Sequence, residues 1–268
     1  MFDLDAYLVR IGLSGHPSLA QVHRAHITSI PFENLDPHRG VPVSLETADL
    51  ERKLVAARRG GYCFEQNLLL KAALEALGYQ VEPFLARVRV GAEPGVIRPR
   101  SHLLLKVRAE GSDWHADVGF GNGSLLEPLP WGPGGEHVQG GWQFRVVAEG
   151  PLLVLQTLRG SEWSDVYAFA PEAAPAIDLE TSNWHTATHP HSPFVTGLIV
   201  SKQDGDGTRT TLSDWNGLAL TKETPSGATV TDVEPEAVAQ LLASEFGLEG
   251  YELGPGGRIV ATDTRPDT

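Results

Sequence analysis

The sequence contains a single cysteine and no apolar run long enough to cross a membrane. Cys63 is the only thiol among the 268 residues, so no disulfide can form within the chain, and a reducing compartment is expected. No apolar stretch approaches the roughly 18 residues that a membrane-spanning helix needs. Residues 1–5 also lack the basic start and apolar core of a signal peptide. These absences predict a cytoplasmic protein without a membrane partner.

Basic residues are scarce as well. Lys and Arg total 21 against 34 Asp and Glu, which gives a net charge of −13 at pH 7. Because nucleic-acid phosphates are bound by basic surfaces, this balance argues against a nucleic-acid partner. The same charge repels an anionic small molecule at long range. Such a ligand would need a local cradle of backbone N–H groups or arginines.

The remaining composition, 41% hydrophobic and 21% charged, is typical of a globular protein. Helical periodicity fills residues 2–78, and strand-like patterns follow. Helices are expected at 3–11, 18–27, 44–60, 63–77 and 234–246. Strands are expected at 79–90, 101–108, 114–119, 142–147, 152–158, 166–169, 198–202, 208–212 and 218–222. Residues 132–141 and 170–197 are expected to be loops, and 261–268 to be disordered. Helices followed by antiparallel strands indicate an α+β fold.

The only cysteine lies at a helix start. Residues 58–67 read Arg-Arg-Gly-Gly-Tyr-Cys-Phe-Glu-Gln-Asn, and an apolar helix-forming run follows at 68–77. The two glycines end the preceding element, so Cys63 is expected in the first turn of the next helix. The positive end of the helix dipole and the two arginines favour the thiolate, which is the nucleophilic form. The alternative is a small buried hydrophobic residue without a chemical role.

His102 and Asp117 are polar residues in two apolar strands, one on each side of a turn-like segment. If the turn centres on residues 110–111, Asp117 faces Leu104 and becomes a diagonal neighbour of His102 on one face of the hairpin. A slip of one residue would put the two side chains on opposite faces. His102 could instead be an ordinary core residue, and Asp117 could cap a turn. Together with Cys63, however, they supply a nucleophile, a base and a group that orients the base.

Other polar patterns are weaker. The run 118–124 has three glycines in five residues and could expose backbone N–H groups to an anion, or it could be a flexible turn. His189 and His191 form a His-Pro-His pattern, but no cysteine or carboxylate stands at ligand spacing, so no metal site is expected. His23 and His26 share one helix face and are interpreted as structural or solvated.

Several motifs, taken together, point to a known family. They are Pro31-Phe32-Glu33-Asn34-Leu35, Arg59-Gly60-Gly61-Tyr62-Cys63-Phe64-Glu65-Gln66-Asn67, His102-Leu103-Leu104-Leu105, Asp117-Val118-Gly119-Phe120-Gly121 and, more weakly, Ser192-Pro193-Phe194. With these motifs in this order, the sequence resembles the arylamine N-acetyltransferases over about its first three quarters. The segment 62–65 is similar to the bacterial branch of that family.

The resemblance implies an N-terminal helical bundle over 1–78, an antiparallel β-barrel over 79–183, and an interdomain segment with an α/β lid over 184–268. It also implies a Cys-His-Asp core like that of papain and transglutaminase. In that core, Cys63 would be the acylated nucleophile, His102 the base and Asp117 its orienter.

The resemblance further implies roles for binding and supporting residues. The acceptor pocket would be lined by Phe32, Phe120 and Phe194. The coenzyme A pyrophosphate would lie against Gly119, Gly121, Asn122 and Gly123. The ion pair expected to support the site would be formed by Arg59 and Glu33.

The reaction implied is transfer of an acetyl group from acetyl-CoA to an arylamine or hydrazine. It would proceed by a ping-pong mechanism through an acetyl-cysteine and without a metal. One alternative is an amide synthase that closes ansamycin-type macrolactams from a carrier-bound acyl chain. Others are a triad cysteine hydrolase and a non-catalytic binding module. The acceptor, the preferred acyl-CoA and the oligomeric state, with a homodimer among the options, are left open by the sequence.

Overall fold

The computed structural model describes residues 2–93 and 95–262 of the chain. Its helices are α1 (Leu4–Arg10), α2 (Leu19–Ser29), α3 (Leu35–Arg39), α4 (Thr47–Leu50), α5 (Cys63–Ala76), α6 (Ala176–Thr188), α7 (Pro193–Thr196) and α8 (Val238–Phe246). Helix α4 continues directly into a π-helical segment, Glu51–Ala56. Among the described helices, none combines the length and the apolar character that crossing a membrane requires.

The described part of the chain also contains many short strands. They are β1 (Phe32–Glu33), β2 (Gln80–Val88), β3 (His102–Ala109), β4 (Ser112–Ala116), β5 (Leu129–Pro130), β6 (His137–Gln139), β7 (Trp142–Glu149), β8 (Leu152–Arg159), β9 (Glu162–Phe169), β10 (Ile199–Gln203), β11 (Arg209–Ser213), β12 (Ala219–Thr224), β13 (Gly227–Asp232), β14 (Tyr251–Leu253) and β15 (Ile259–Ala261).

The strands form an eight-stranded sheet in the order β5-β4-β3-β2-β9-β8-β7-β6, a five-stranded sheet in the order β1-β10-β11-β12-β13, and the pair β14-β15. Every pairing within these sheets is antiparallel. The eight-stranded sheet forms a nearly closed barrel, and the five-stranded sheet with α8 forms the lid. The α+β fold expected from the sequence is therefore confirmed.

The apolar side of α5 packs on strand β3 of the barrel. Leu69, Leu70 and Leu74 lie in one buried cluster with Leu105 and Val107 of that strand. Because helical and barrel residues share this core, α5 is fixed against β3. The first residue of the helix is thereby brought to the start of the strand.

The lid is joined to the N-terminal part of the chain by a short strand pairing. In β1, Phe32 stands opposite Ser201 and Glu33 opposite Val200 of β10. The lid has its own core, in which Val200 packs with Leu242 of α8. The residues before α5 thus complete the edge of a sheet that is otherwise built from the C-terminal part of the chain.

Some sequence expectations were wrong. Residues 170–197 contain α6 and α7 rather than only loop. The buried positions of α6 follow helical spacing, but they include Asn183 and Thr186, so the segment lacks an apolar stripe. Residues 132–141 contain β6. Of the tail expected to be disordered, Ala261 ends β15, and residues 263–268 lie outside the described residues.

Candidate active site

Cys63 is the first residue of α5, as the sequence predicts. A side-chain carbon at Gly60 would lie only 2.1 Å from the Pro31 carbonyl oxygen, so the chain entering the helix requires glycine there. The Cys63 side chain is almost completely buried, and its Sγ donates to the Ser101 carbonyl oxygen at 3.6 Å. The thiol therefore lies at the positive end of the helix dipole and beside the residue that precedes β3.

Strands β3 and β4 form the predicted hairpin. The turn residues 110–111 have φ values of 51° and 77°, which a two-residue turn of this kind requires. The ladder ends with Leu105 opposite Ala116, which is the register expected from the sequence. Asp117 follows this last pair directly, so its side chain reaches His102 across the hairpin.

The His102 and Asp117 side chains form a buried pair, with Nε2 of the imidazole 2.7 Å from Oδ2 of the carboxylate. Burial alone would lower the pKa of His102. The charge of Asp117 and hydrogen bonds to Asp117 and Cys63 outweigh burial and raise it to about 10. Burial would raise the pKa of Asp117, but His102 and other hydrogen-bond donors lower it to about 2. The pair is therefore charged at neutral pH.

Three further donors hold the Asp117 carboxylate. Asn67 Nδ2 and the Gly119 N–H donate to Oδ1 at 3.0 Å and 2.9 Å, and the Tyr167 hydroxyl donates to Oδ2 at 2.8 Å. Sequence reasoning missed Asn67 and Tyr167. Asn67 lies four residues after Cys63, one helical turn on the same face, and that spacing could have identified it. Nothing in the pattern of β9 distinguishes Tyr167.

His23 fixes the backbone of the same residue. The Asp117 N–H donates to His23 Nε2 at 3.1 Å, and His23 Nδ1 lies 3.2 Å from the Leu126 carbonyl oxygen. Burial lowers the pKa of His23 to about 4, so the ring is neutral and can accept this bond. Its neighbour His26 is also buried and pairs with Gln66 Oε1 at 2.7 Å. Of the two interpretations offered for these histidines, the structural one holds.

Aromatic rings surround the buried thiol. Phe32 and Phe194 have ring centroids 6.1 Å apart and belong to the apolar cluster that contains Cys63. The Phe120 ring meets His102 edge-on, with centroids 5.0 Å apart. The structure thus brings the three predicted acceptor-pocket residues beside the other site residues. Their contact with an acceptor stays a prediction.

The glycine loop, residues 119–123, lies against the nucleophile. A side-chain carbon at Gly119 would be 2.7 Å from the Cys63 Cα, so no larger residue fits there without movement. Gly121 has a φ of 72°, a conformation that favours glycine. Among the described residues, the buried Oδ1 of Asn122 has no hydrogen-bond partner. The role of the loop in binding coenzyme A stays a prediction.

Arg59 and Glu33 belong to a buried charge cluster. Arg59 Nη2 lies 2.9 Å from Glu33 Oε1 and 2.8 Å from Asp36 Oδ1. Lys53 Nζ lies 2.7 Å from Asp36 Oδ2 and 2.6 Å from Glu65 Oε1. Burial is the main reason that the pKa of Glu65 rises to about 7. Only Arg59 and Glu33 were predicted from the sequence, because Asp36, Lys53 and Glu65 are spread over several elements.

Among the described residues, no three His, Cys, Asp or Glu side chains are arranged to hold a metal ion. His189 and His191 stand with ring centroids 5.6 Å apart. The expectation of a reaction without a metal stays a prediction.

Comparison with known proteins shows similarity over almost the whole chain. A family model described as N-acetyltransferase matches residues 17–251. An arylamine N-acetyltransferase of Mycolicibacterium smegmatis is 39% identical over 261 residues, which cover 94% of this chain and 93% of that protein. An arylamine N-acetyltransferase / N-hydroxyarylamine O-acetyltransferase of Salmonella typhimurium is 34% identical, with 98% of each chain covered.

Solved structures show the same similarity in three dimensions. The arylamine N-acetyltransferase of Mycobacterium marinum in complex with CoA has a TM-score of 0.86 at 36% identity, over 92% of this chain and 93% of that chain. The Mycobacterium tuberculosis structure has a TM-score of 0.86 at 37% identity, over 92% of this chain and 94% of the other.

Proposed function

The chain belongs to the arylamine N-acetyltransferase family of acyltransferases, and we propose that it works by a ping-pong mechanism through an acetyl-cysteine at Cys63. The acetyl group would pass from acetyl-CoA to the nitrogen of an arylamine, arylhydrazine or related acceptor. One observation carries the proposal: Cys63, at a helix start, contacts the carbonyl of Ser101, and the next residue, His102, forms the buried pair with Asp117. The CoA complex of the Mycobacterium marinum relative supports a CoA thioester as donor.

In the first half-reaction, the protonated ring of His102 accompanies the Cys63 thiolate. Sγ attacks the thioester carbonyl carbon, and backbone N–H groups at the start of α5 stabilise the negative charge that develops on the oxygen. The bond between the carbonyl carbon and the CoA sulfur then breaks. CoA leaves as the thiol, with the proton that His102 gives up, and the acetyl group remains on Cys63.

In the second half-reaction, the acceptor nitrogen attacks the carbonyl carbon of the acetyl-cysteine. The neutral His102 ring takes the proton from that nitrogen. The carbon–sulfur bond breaks, the acetylated amine leaves, and the thiolate and imidazolium are restored. Asp117 accepts a hydrogen bond from the ring throughout and keeps its orientation fixed.

Acceptor choice follows from the aromatic surroundings of the thiol. Phe32, Phe120 and Phe194 would contact a flat acceptor by apolar burial and ring packing. Arg59 and Glu33 would support the site indirectly. Their ion pair holds β1, whose Glu33 N–H donates to the Gly61 carbonyl oxygen at 3.1 Å, just before Cys63.

The comparisons favour neither the amide synthase nor the hydrolase over this function. The domain boundaries after residues 78 and 183, a cytoplasmic location and a homodimer stay predictions.

Intact-protein mass spectrometry tests the proposal. The wild-type protein mixed with acetyl-CoA alone should gain one acetyl group, and an arylamine added afterwards should remove it. Cys63→Ala should gain none while keeping the circular dichroism of the wild type. A wild-type protein that gains no acetyl group, although its thiol still reacts with iodoacetamide, would contradict acetyl-CoA as the donor.

A further inference from the structure

A fully buried histidine inside the barrel takes no part in the proposed reaction steps. His115 lies in β4, two residues before Asp117, and is 0% exposed. Its Nε2 is 2.7 Å from the Tyr167 hydroxyl oxygen, and that hydroxyl donates to Asp117 Oδ2 at 2.8 Å. Strands β3 and β2 separate β4 from β9 in the sheet, so the contact between His115 and Tyr167 crosses the inside of the barrel.

The protonation of the neighbouring groups fixes the direction of each hydrogen bond. Asp117 is ionised and can only accept. Burial and the charge of Asp117 raise the pKa of Tyr167 well above its ordinary value, so the hydroxyl keeps its single proton and donates it to Asp117. The Tyr167 oxygen is therefore the acceptor towards His115, whose Nε2 must carry a proton. Burial lowers the pKa of His115 to about 4, so the ring is neutral and Nδ1 is unprotonated.

Nδ1 of the same ring is an acceptor without a donor. In the part of the chain that the structure describes, it makes no hydrogen bond. The ring is instead surrounded by Trp131, Tyr167 and Phe169, whose ring centroids are 5.9, 5.9 and 5.5 Å away. A buried acceptor without a partner costs free energy, and an apolar ring in the same space would avoid that cost. The free energy of folding alone therefore gives little reason for a histidine at this position.

We propose that His115 is a positioning residue for the catalytic group and that it acts through Tyr167. Its Nε2–H holds the Tyr167 oxygen on the side away from Asp117, so the hydroxyl proton is directed at Oδ2 of the carboxylate. A hydroxyl that accepts one hydrogen bond also donates a stronger one. The same Oδ2 lies 2.7 Å from His102 Nε2. This inference rests on the proposed function, because His102 is the base of that reaction.

The position of Tyr167 affects His102 in two ways. The Tyr167 hydroxyl shares Asp117 Oδ2 with His102, and the two rings have centroids 4.8 Å apart. A Tyr167 side chain that turned away would therefore disturb both the orienting carboxylate and the packing of the base. His115 opposes such a turn, because it stacks on the Tyr167 ring at an interplanar angle of 28° and bonds to its oxygen.

Three substitutions at position 115 test the proposal. Glutamine carries an N–H donor as many bonds from Cβ as His115 Nε2, whereas the asparagine donor corresponds to Nδ1 and does not reach Tyr167. Phenylalanine keeps an aromatic ring without a donor. With p-nitrophenyl acetate, His115→Phe and His115→Asn should each lower kcat by about three- to tenfold, as expected for one lost hydrogen bond, and His115→Gln should stay within about twofold of wild type.

Urea unfolding separates this effect from a loss of stability. His115→Phe should unfold at the same or a higher urea concentration than wild type, because it removes the unpartnered Nδ1. His38→Phe is the matched control. His38 is also a buried histidine, but its Nδ1 accepts a hydrogen bond from the Ile259 N–H of β15 at 3.2 Å, so its replacement should leave kcat unchanged.

A double-mutant cycle with Tyr167→Phe separates positioning from packing. If His115 acts through the Tyr167 oxygen, His115→Phe should change kcat by less than about twofold in a Tyr167→Phe protein, although it lowers kcat in the wild type. An equal loss in both backgrounds would overturn the proposal. A kcat of His115→Gln as low as that of His115→Phe would overturn it as well.

Two further measurements do not depend on acetyl transfer. NMR of the imidazole nitrogens should show His115 with a protonated Nε2 and an unprotonated Nδ1 at neutral pH. The rate of Cys63 alkylation by iodoacetamide should fall in His115→Phe and recover in His115→Gln. Both results would support the role of His115 even if acetyl-CoA transferred no acetyl group. The opposite tautomer, or an unchanged alkylation rate in His115→Phe, would overturn the proposal while leaving the proposed function intact.

Discussion

The Asp117 carboxylate accepts four hydrogen bonds in a place that water does not reach. Donors from α5, from β9, from the glycine loop and from His102 converge on its two oxygens. An asparagine at this position would turn its own N–H donor towards some of these donors, and the hydrogen bonds to that side of the group would be lost. The sequence predicted the pairing with His102 because strand alternation and a two-residue turn fix the register. It could not predict Tyr167, whose contact depends on how the barrel curves.

We therefore expect Asp117→Asn to lower kcat with p-nitrophenyl acetate by about two to four orders of magnitude, since the imidazole loses its orienting anion. Steady-state kinetics and the rate of Cys63 alkylation check this. Asp113→Asn, on the exposed part of the same hairpin, is the control and should retain wild-type kcat. Full activity of Asp117→Asn would remove this residue from the catalytic group.

The raised pKa of His102 makes its contribution to stability depend on pH. Its pKa is about 6.5 when unfolded and about 10 when folded, so the contribution is complete below pH 6.5 and is lost as pH rises through about 10. The difference in free energy of unfolding between wild type and His102→Gln should therefore shrink between pH 7 and 10, by an amount on the order of a few kcal/mol.

Urea unfolding at several pH values measures this difference. His23→Gln is the matched control. The pKa of His23 is lowered by burial to about 4, so its contribution changes only below about pH 6.5, and the control difference should stay constant from pH 7 to 10. A difference for His102→Gln that does not vary with pH would contradict a protonated ring in the folded protein.

At the scale of elements, helices and strands were predicted best where one physical signal dominates the sequence. Glycines and an apolar run mark α5, and a short apolar run before a turn marks β3. Helix α6 escaped prediction because it buries polar residues such as Asn183. Strand β13 escaped because every residue in it is exposed, so alternation leaves no apolar side to detect. Strand β1 has two residues and exists only because β10 supplies its partner.

At the scale of the whole molecule, the predicted domains share their cores and sheets. Helices α1, α2 and α5 pack with residues of β3 and β4, and β1 pairs with the lid. The Arg258 guanidinium also donates to the His38 carbonyl oxygen at 3.1 Å. We therefore expect one cooperative thermal transition, with equal calorimetric and van't Hoff enthalpies. Two resolved calorimetric peaks would instead support domains that unfold separately near the predicted boundaries.

The pairing of β1 with β10 also has a consequence during synthesis. Phe32 and Glu33 pair with the lid strand β10 at Ser201 and Val200, far along the chain. A ribosome that adds about 5–20 residues per second needs about 10–30 s to cover that interval. During that time, the edge of β1 near Cys63 has no neighbouring strand from the lid. The active site is therefore among the last parts of the nascent protein to be completed.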